Sequence, residues 1–417
     1  MVDVMRRRGL TAAAALLCGV LALTSCGGGG DDEADGAERT EQSDADQAAE
    51  DADTSAAVIS ITPDDAAEGV GINDDVAVEV EEGVLDEVVL TATEAGTEVP
   101  GTISEDQTSW LPDAQLDRAT RYELSVQASD TEGREAHQVA SFTTIAPENS
   151  FIGYFTPEDG SEVGIGMPVS LNFDQEITNR AAVQEAVTVT ASSGQEVVGH
   201  WFDGTRLDFR PESYWDAGTT VNVSLDFDGV EGAPGISGVQ DRDFSFTVGR
   251  AQVSTVDAEA KRMEVVRDGE PLRTLPISAG SEDTPTYNGQ MVISEKYEET
   301  RMDGATVGFT DDDGEGEYDI PDVPHAMRLS TSGTFVHGNY WAPDSTFGSA
   351  NTSHGCIGLN DKQGADDPDQ DGAWFFEESL IGDVVVVVNS PDELITPENG
   401  LNGWNMSWAD WVAGSAV

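Results

Sequence analysis

The stretch VHGNYWAPDSTFGSANTSHGCIGLN, residues 336–360, holds two of the chain's five histidines and one of its three cysteines. The other cysteines, Cys18 and Cys26, lie near the N-terminus. A cysteine attacks a carbonyl as its thiolate, so it needs a depressed pKa or an adjacent base. His354 stands two residues before Cys356 and His337 nineteen residues before it. On extended backbone His354 shares a side with the thiol. His337 sits at a predicted strand end and reaches Cys356 only through the fold. Gly355 frees the backbone ahead of the cysteine, so that amide N–H groups can face a developing oxyanion. Two other readings stand on residue types alone. His337, His354 and Cys356 could ligate zinc, although no fourth ligand stands at the usual spacing. Alternatively, the cysteine is a packing residue with two incidental histidines beside it.

The elements that must position these residues read as strands. From residue 251 to 391 the chain alternates β-type segments with glycine-marked corners, ending in GDVVVVVNS. An acidic, glycine-rich loop, FTDDDGEGEYDIPD, precedes the strand TFVHGNYW. Ahead of this unit, residues 58–147 and 148–250 repeat a common plan. TPDDAAEGVGI at 62 is echoed by TPEDGSEVGI at 156, and SFTT at 141 by SFTV at 245. Each unit has the length of an immunoglobulin-like sandwich, without a cysteine pair to pin it. Trp110, Trp201 and Trp215 are expected in their cores or turns rather than as ligand platforms, and His137 and His200 on their surfaces. The two units read as spacers with cores of their own, which leaves 251–417 as an autonomous body. Trp404, Trp408 and Trp411, at helical spacing in residues 392–417, are expected to pack on the preceding unit.

Composition narrows the partners. Twenty Lys+Arg against 80 Asp+Glu give a net charge of −60. This argues against DNA, RNA or anionic lipid surfaces as partners, and it resembles surfaces kept soluble in concentrated salt by hydrated carboxylates. The N-terminus, MRRRGLTAAAALLCGVLALTSC, has the plan of a secretory signal, residues 1–25. Its end resembles the bacterial lipobox, so Cys26 is the expected lipidation position. Residues 26–57 lack aromatics and nearly all large aliphatics, the composition of a disordered acidic tether. After processing, Cys356 is the one thiol left in the exported body, which suggests chemical use in an oxidising compartment.

The run HGNYW…SHGCIGLN resembles the signature of the L,D-transpeptidase (YkuD-type) catalytic domain, and SAGSEDTPTYNGQMVIS resembles that family's Thr-Pro-x-x-Gly strand. The order of lipoprotein signal, tether, two sandwiches, catalytic domain and Trp-rich tail is similar to the mycobacterial-type members. The resemblance implies a mainly β chain: two immunoglobulin-like sandwiches, a β-rich catalytic domain and a short helical C-terminal subdomain. It implies Cys356 as nucleophile, His337 as general base, and the carbonyl of Gly338 as the group that holds the imidazole. The amides of Gly355 and Cys356 would form the oxyanion hole, with Tyr318, Ser353 and His354 contacting substrate. No cofactor or metal is implied. The implied reaction joins peptidoglycan stem tetrapeptides, as donor and acceptor, through a thioester into a 3→3 cross-link, at the outer face of the cytoplasmic membrane. Water as acceptor would make the enzyme an L,D-carboxypeptidase, and a non-catalytic wall-binding lipoprotein is the third reading. One departure stands out. Many relatives carry arginine two residues after the cysteine, where this chain has Gly358. The lid is also unusually acidic, with Asp311, Asp312, Asp313, Glu315, Glu317 and Asp319.

Overall fold

Alternation along Arg121–Asp130 places Tyr122, Leu124, Val126 and Ala128 on one face, and all four are buried. This strand pairs antiparallel with Glu135–Thr144 and Gly83–Ala92 in a five-stranded sheet. A four-stranded sheet containing Val58–Thr62 and Ala77–Glu81 lies over it and supplies Trp110 to the shared core. The N–H of Asp117 donates to the hydroxyl of Tyr122 at 3.0 Å, a corner bond typical of immunoglobulin-like sandwiches. This computed structural model describes residues 54–73, 76–310, 313 and 315–417. The signal segment, Cys26, the tether as far as residue 53, and Asp311 and Asp312 lie outside the described residues.

A second pair of four-stranded sheets, with a small three-stranded sheet at one end, spans residues 150–248. Trp201 and Trp215 belong to its core, as the pattern predicts. The Thr-Pro turns of the sequence repeat, Thr62–Pro63 and Thr156–Pro157, adopt the same cis peptide in both copies.

The third body is organised on a nine-stranded sheet. Val384–Val388, an unbroken valine run, pairs parallel with Gln252–Asp257 and antiparallel with Gly289–Val292. A continuous apolar strand is what covering on both sides requires. Further along the sheet, Phe335–Asn339 lies between Ile357–Asn360 and Asp319–Arg328.

The structure corrects two expectations. The second sandwich is not an independent spacer. The N–H groups of Gly164 and Gly166 donate to the carbonyls of Ile381 and Gly382 at 2.7 and 2.9 Å. A Cβ at Gly164 would stand 2.2 Å from the backbone nitrogen of Asp383, so the two chains meet backbone to backbone. Val292 and Trp404 pack into the core of this sandwich. The tryptophan tail also sits elsewhere than expected. Trp404 lies in a short 3-10 turn before the helix Trp408–Ala413. The three rings gather around the guanidinium of Arg210, a residue of the second sandwich, at 4.7, 5.4 and 4.2 Å. His200 is consequently buried, stacked on Trp411 with ring centres 4.8 Å apart, rather than exposed. His137 is exposed as expected. Spacing located the tryptophans on one side of the chain but carries no information about which body that side meets.

Candidate active site

Every residue of Phe335–Asn339 is buried: Ile357–Asn360 pairs along one edge, Asp319–Arg328 pairs at Phe335 and Val336 on the other, and the helix Asp371–Glu378 packs against the strand. Its parallel pairing with Ile357–Asn360 sets His337 opposite Gly358 and Val336 opposite Ile357. Cys356 immediately precedes that neighbouring strand, so register alone brings the thiol beside the imidazole despite nineteen residues of separation. His337, Cys356, Tyr318, Ser353 and His354 line a single cavity of about 160 Å³, together with Met302, Ile320, Asn339, Trp341 and Thr352.

Nδ1–H of His337 donates to the carbonyl of Gly338 at 2.8 Å. This bond leaves Nε2 as the basic nitrogen. Burial pushes the imidazole below its usual pKa of 6.5, against the opposing pull of the Gly338 carbonyl and of Asp361. The ring of Trp341 stacks on it at 5.6 Å. Cys356 is 8% exposed, and burial pushes its thiol up to about 11, with a backbone contact to Phe335 acting in the opposite sense. Its S–H donates to the carbonyl of Gly333 at 3.5 Å, and among the described residues no hydrogen bond joins it to His337. The resting pair is a neutral thiol and a neutral imidazole. A neutral base with a free Nε2 can take the thiol's proton as attack proceeds.

The turn that carries the cysteine is braced from behind. Gly355 has φ +102°, a conformation that other residues rarely adopt. The hydroxyl of Ser353 donates to the carbonyl of Cys356 at 2.5 Å, so it serves the turn itself. The carbonyl of Ser353 accepts from the N–H of Ser281 at 2.9 Å and from the hydroxyl of Thr284 at 3.0 Å. The Thr-Pro segment thus backs the cysteine turn. No acceptor among the described residues takes the N–H of Gly355 or Cys356.

His354 does not face Cys356 as a second base. Its Nε2 meets the carboxylate of Glu317 at 3.2 Å, and its ring lies 5.0 Å from Tyr318 and 5.5 Å from Phe309. It therefore ties the cysteine turn to the loop that covers it. Burial pushes Tyr318 up to about 12, so its phenol stays protonated and able to donate. No cluster of His, Cys, Asp or Glu among the described residues is arranged to hold a metal ion.

Sequence reasoning missed Asn339, Trp341 and Phe309, and also Asp361. Asn339 was within reach, since strand alternation puts residues 337 and 339 on one face. Asp361 was not. Its carboxylate lies beneath Gly338 and accepts from Nδ1 of the buried His325 at 2.7 Å, a contact made only by folding.

A nine-stranded sheet presenting a buried histidine and a cysteine on adjacent parallel strands is matched by known sequences. Residues 251–387 match the L,D-transpeptidase catalytic domain (YkuD), and residues 67–231 match a bacterial Ig domain. L,D-transpeptidase 2 of Mycobacterium tuberculosis is 32% identical over 352 residues, 84% of this chain and 83% of that protein. L,D-transpeptidase 5 of the same organism is 31% identical over 373 residues, 88% of this chain and 76% of that protein. The chain belongs to the L,D-transpeptidase family, as the SHGC signature led us to expect. A solved structure of an L,D-transpeptidase in complex with imipenem covers 58% of this chain and all of its own length, at 30% identity and a TM-score of 0.47.

Proposed function

We propose that this L,D-transpeptidase forms 3→3 peptidoglycan cross-links through a thioester on Cys356. The observation that carries this reading is the His337–Gly338 bond, which turns a basic Nε2 into the cavity that holds the thiol. In the first step the thiol turns from Gly333 towards Nε2 and gives up its proton. Sγ bonds to the carbonyl carbon of the third residue of a tetrapeptide stem. The tetrahedral oxyanion is held by the amides of Gly355 and Cys356. Its collapse breaks the bond to the terminal D-alanine, whose amine leaves with the proton from His337. In the second step the side-chain amine of a neighbouring stem attacks the thioester. His337 takes the proton of that amine and returns it to the departing thiolate. The reaction is isoenergetic in bond type, an amide exchanged for an amide, and needs no cofactor.

The lipobox-like sequence supports lipid attachment at Cys26, on the outer face of the cytoplasmic membrane. The tether and sandwiches would then carry the site towards the wall. Incubation with a disaccharide tetrapeptide, followed by mass spectrometry, tests the chemistry. A cross-linked dimer with loss of one D-alanine is expected, and Cys356→Ala abolishes it. Tripeptide without dimer would mean that water is the acceptor, and unchanged substrate would end the enzymatic reading.

A further inference from the structure

Two residues after Cys356 the chain carries Gly358, so the strand Ile357–Asn360 contributes no side chain at that point. The neighbouring strand occupies the space. A Cβ built on Gly358 would stand 3.4 Å from Nδ2 and 3.5 Å from Cβ of Asn339. Asn339 lines the cavity with His337 and Cys356, and it is 5% exposed. Its Oδ1 accepts from the N–H of Ala342 at 3.0 Å. Only the carbonyl end of a carboxamide can accept that bond, so the network itself sets which end is nitrogen. Nδ2 then has no hydrogen-bond partner among the described residues. Among the described residues the one sealed side-chain polar atom without a partner is Nε of Arg210, so Nδ2 of Asn339 is open to solvent, and the cavity that Asn339 lines is where it opens. No lysine or arginine is among the described residues lining that cavity.

We propose that Asn339 is a substrate-positioning residue. Its Nδ2 donates to a carbonyl or carboxylate oxygen of the stem peptide that Cys356 acylates, at the position a side chain on residue 358 would otherwise serve. The inference rests on the transpeptidase reading above. It also names the ligand chemistry: the group held there is an oxygen acceptor, taken by a neutral amide rather than by a cation.

Steady-state turnover of a tetrapeptide donor by the full-length protein and three variants tests this. Asn339→Asp preserves the shape and the acceptor for Ala342, and replaces the donor with oxygen. Asn339→Ala removes the donor. Asn339→Ala combined with Gly358→Asn returns an amide to the same space from the adjacent strand, where a Cβ makes only ordinary contacts. The expected rise in KM is about tenfold for Asn339→Ala, with a smaller change in kcat. Asn339→Asp should raise KM further, and the double variant should recover most of the loss. A wild-type KM in Asn339→Asp overturns the assignment, because that variant keeps the Ala342 bond and the side-chain shape but sets a negatively charged acceptor where the donor stood. Impaired single variants with no recovery in the double variant overturn the claim that both strands serve one position. An inert wild type defeats the transpeptidase reading and this assignment with it. With an active wild type, the variants bear on Asn339 alone.

Discussion

A Cβ on Gly338 would stand 2.2 Å from the Oδ2 of Asp361, the same oxygen that Nδ1 of His325 meets at 2.7 Å. The carbonyl that orients His337 thus belongs to a residue pressed against a buried carboxylate. Gly338→Ala must push one of the two aside. We expect a loss of about 1–3 kcal/mol of stability, the usual cost of overpacking, together with slower acylation as the carbonyl moves off Nδ1. Asp361→Ala should relieve the clash, so the pair of substitutions should be non-additive in a double-mutant cycle. Additive losses in denaturant melts would show that the contact is not shared.

The pH dependence of acylation by a carbapenem, whose strained carbonyl offers the thiol a comparable target, follows from the two shifted groups. His337 must be neutral to act as base, and burial lowers its pKa below 6.5. The rate should therefore hold steady as pH falls through 6.5 and drop only below it. With Cys356 near 11, thiolate formation should not raise the rate across neutral and mildly alkaline pH. Asp361→Asn removes a charge that favours the imidazolium, so it should move the acid limb lower still. Rates read by mass spectrometry decide this. A rate that titrates with a thiolate formed near neutrality would establish a resting ion pair instead.

Stability should respond to the same groups with a definite sign. Below 6.5 the unfolded chain takes up a proton on histidine that the folded chain refuses, so stability declines as pH falls. Above 9.0 the unfolded thiol ionises while folded Cys356 holds its proton to about 11, so stability declines as pH rises. Cys356→Ala should remove the part of the alkaline loss that begins near 9.0 and leave the part due to tyrosines such as Tyr318 that ionise above 10.0, which urea melts at several pH values can read.

The tail prediction follows from Arg210. Its guanidinium donates to the carbonyls of Gly403 and Met406 at 3.3 and 3.2 Å within the cage of Trp404, Trp408 and Trp411. Arg210→Ala should destabilise the protein by about 2–4 kcal/mol, from lost cation–π contacts and unpaired carbonyls. A fragment of residues 251–417 should be poorly stable beside one of residues 148–417, because Val292, Trp404 and Trp411 lose the surface that covers them. Equal denaturation midpoints for the two fragments would refute this coupling.

Salt should stabilise the protein. The charge of −60 is repulsive in sum, and screening shortens from about 10 Å at 0.1 M salt to about 3 Å at 1 M. The melting temperature should rise over that range. The lid, tied to His354 through Glu317 at 3.2 Å, should close less well at low salt, slowing acylation before global unfolding. Replacing Asp311, Asp312 and Asp313 with asparagine should restore the low-salt rate. A melting temperature flat in salt would remove this account of the acidity.

Which residues are candidates for the chemistry is legible along the chain. The isolated cysteine, the glycine before it and the two histidines stand in one local run, and short-range spacing and composition make that run legible. Large aromatics in the two sandwiches were likewise legible as core residues: Trp110 and Trp201 sit on strands, and Trp215 reaches its core from the segment between two strands. The family resemblance alone distinguished the two histidines by role, and the structure gives them different surroundings. His337 lines the cavity from a fully buried strand, while His354 turns to Glu317. The contacts between distant segments arise only on folding: Asp361 under Gly338, Asn339 in the space beside Gly358, and Arg210 within the tryptophan tail. Each joins surfaces whose local pattern says only that they are apolar or polar. Which surface meets which is settled by sheet register and backbone approach, and these belong to the folded chain as a whole.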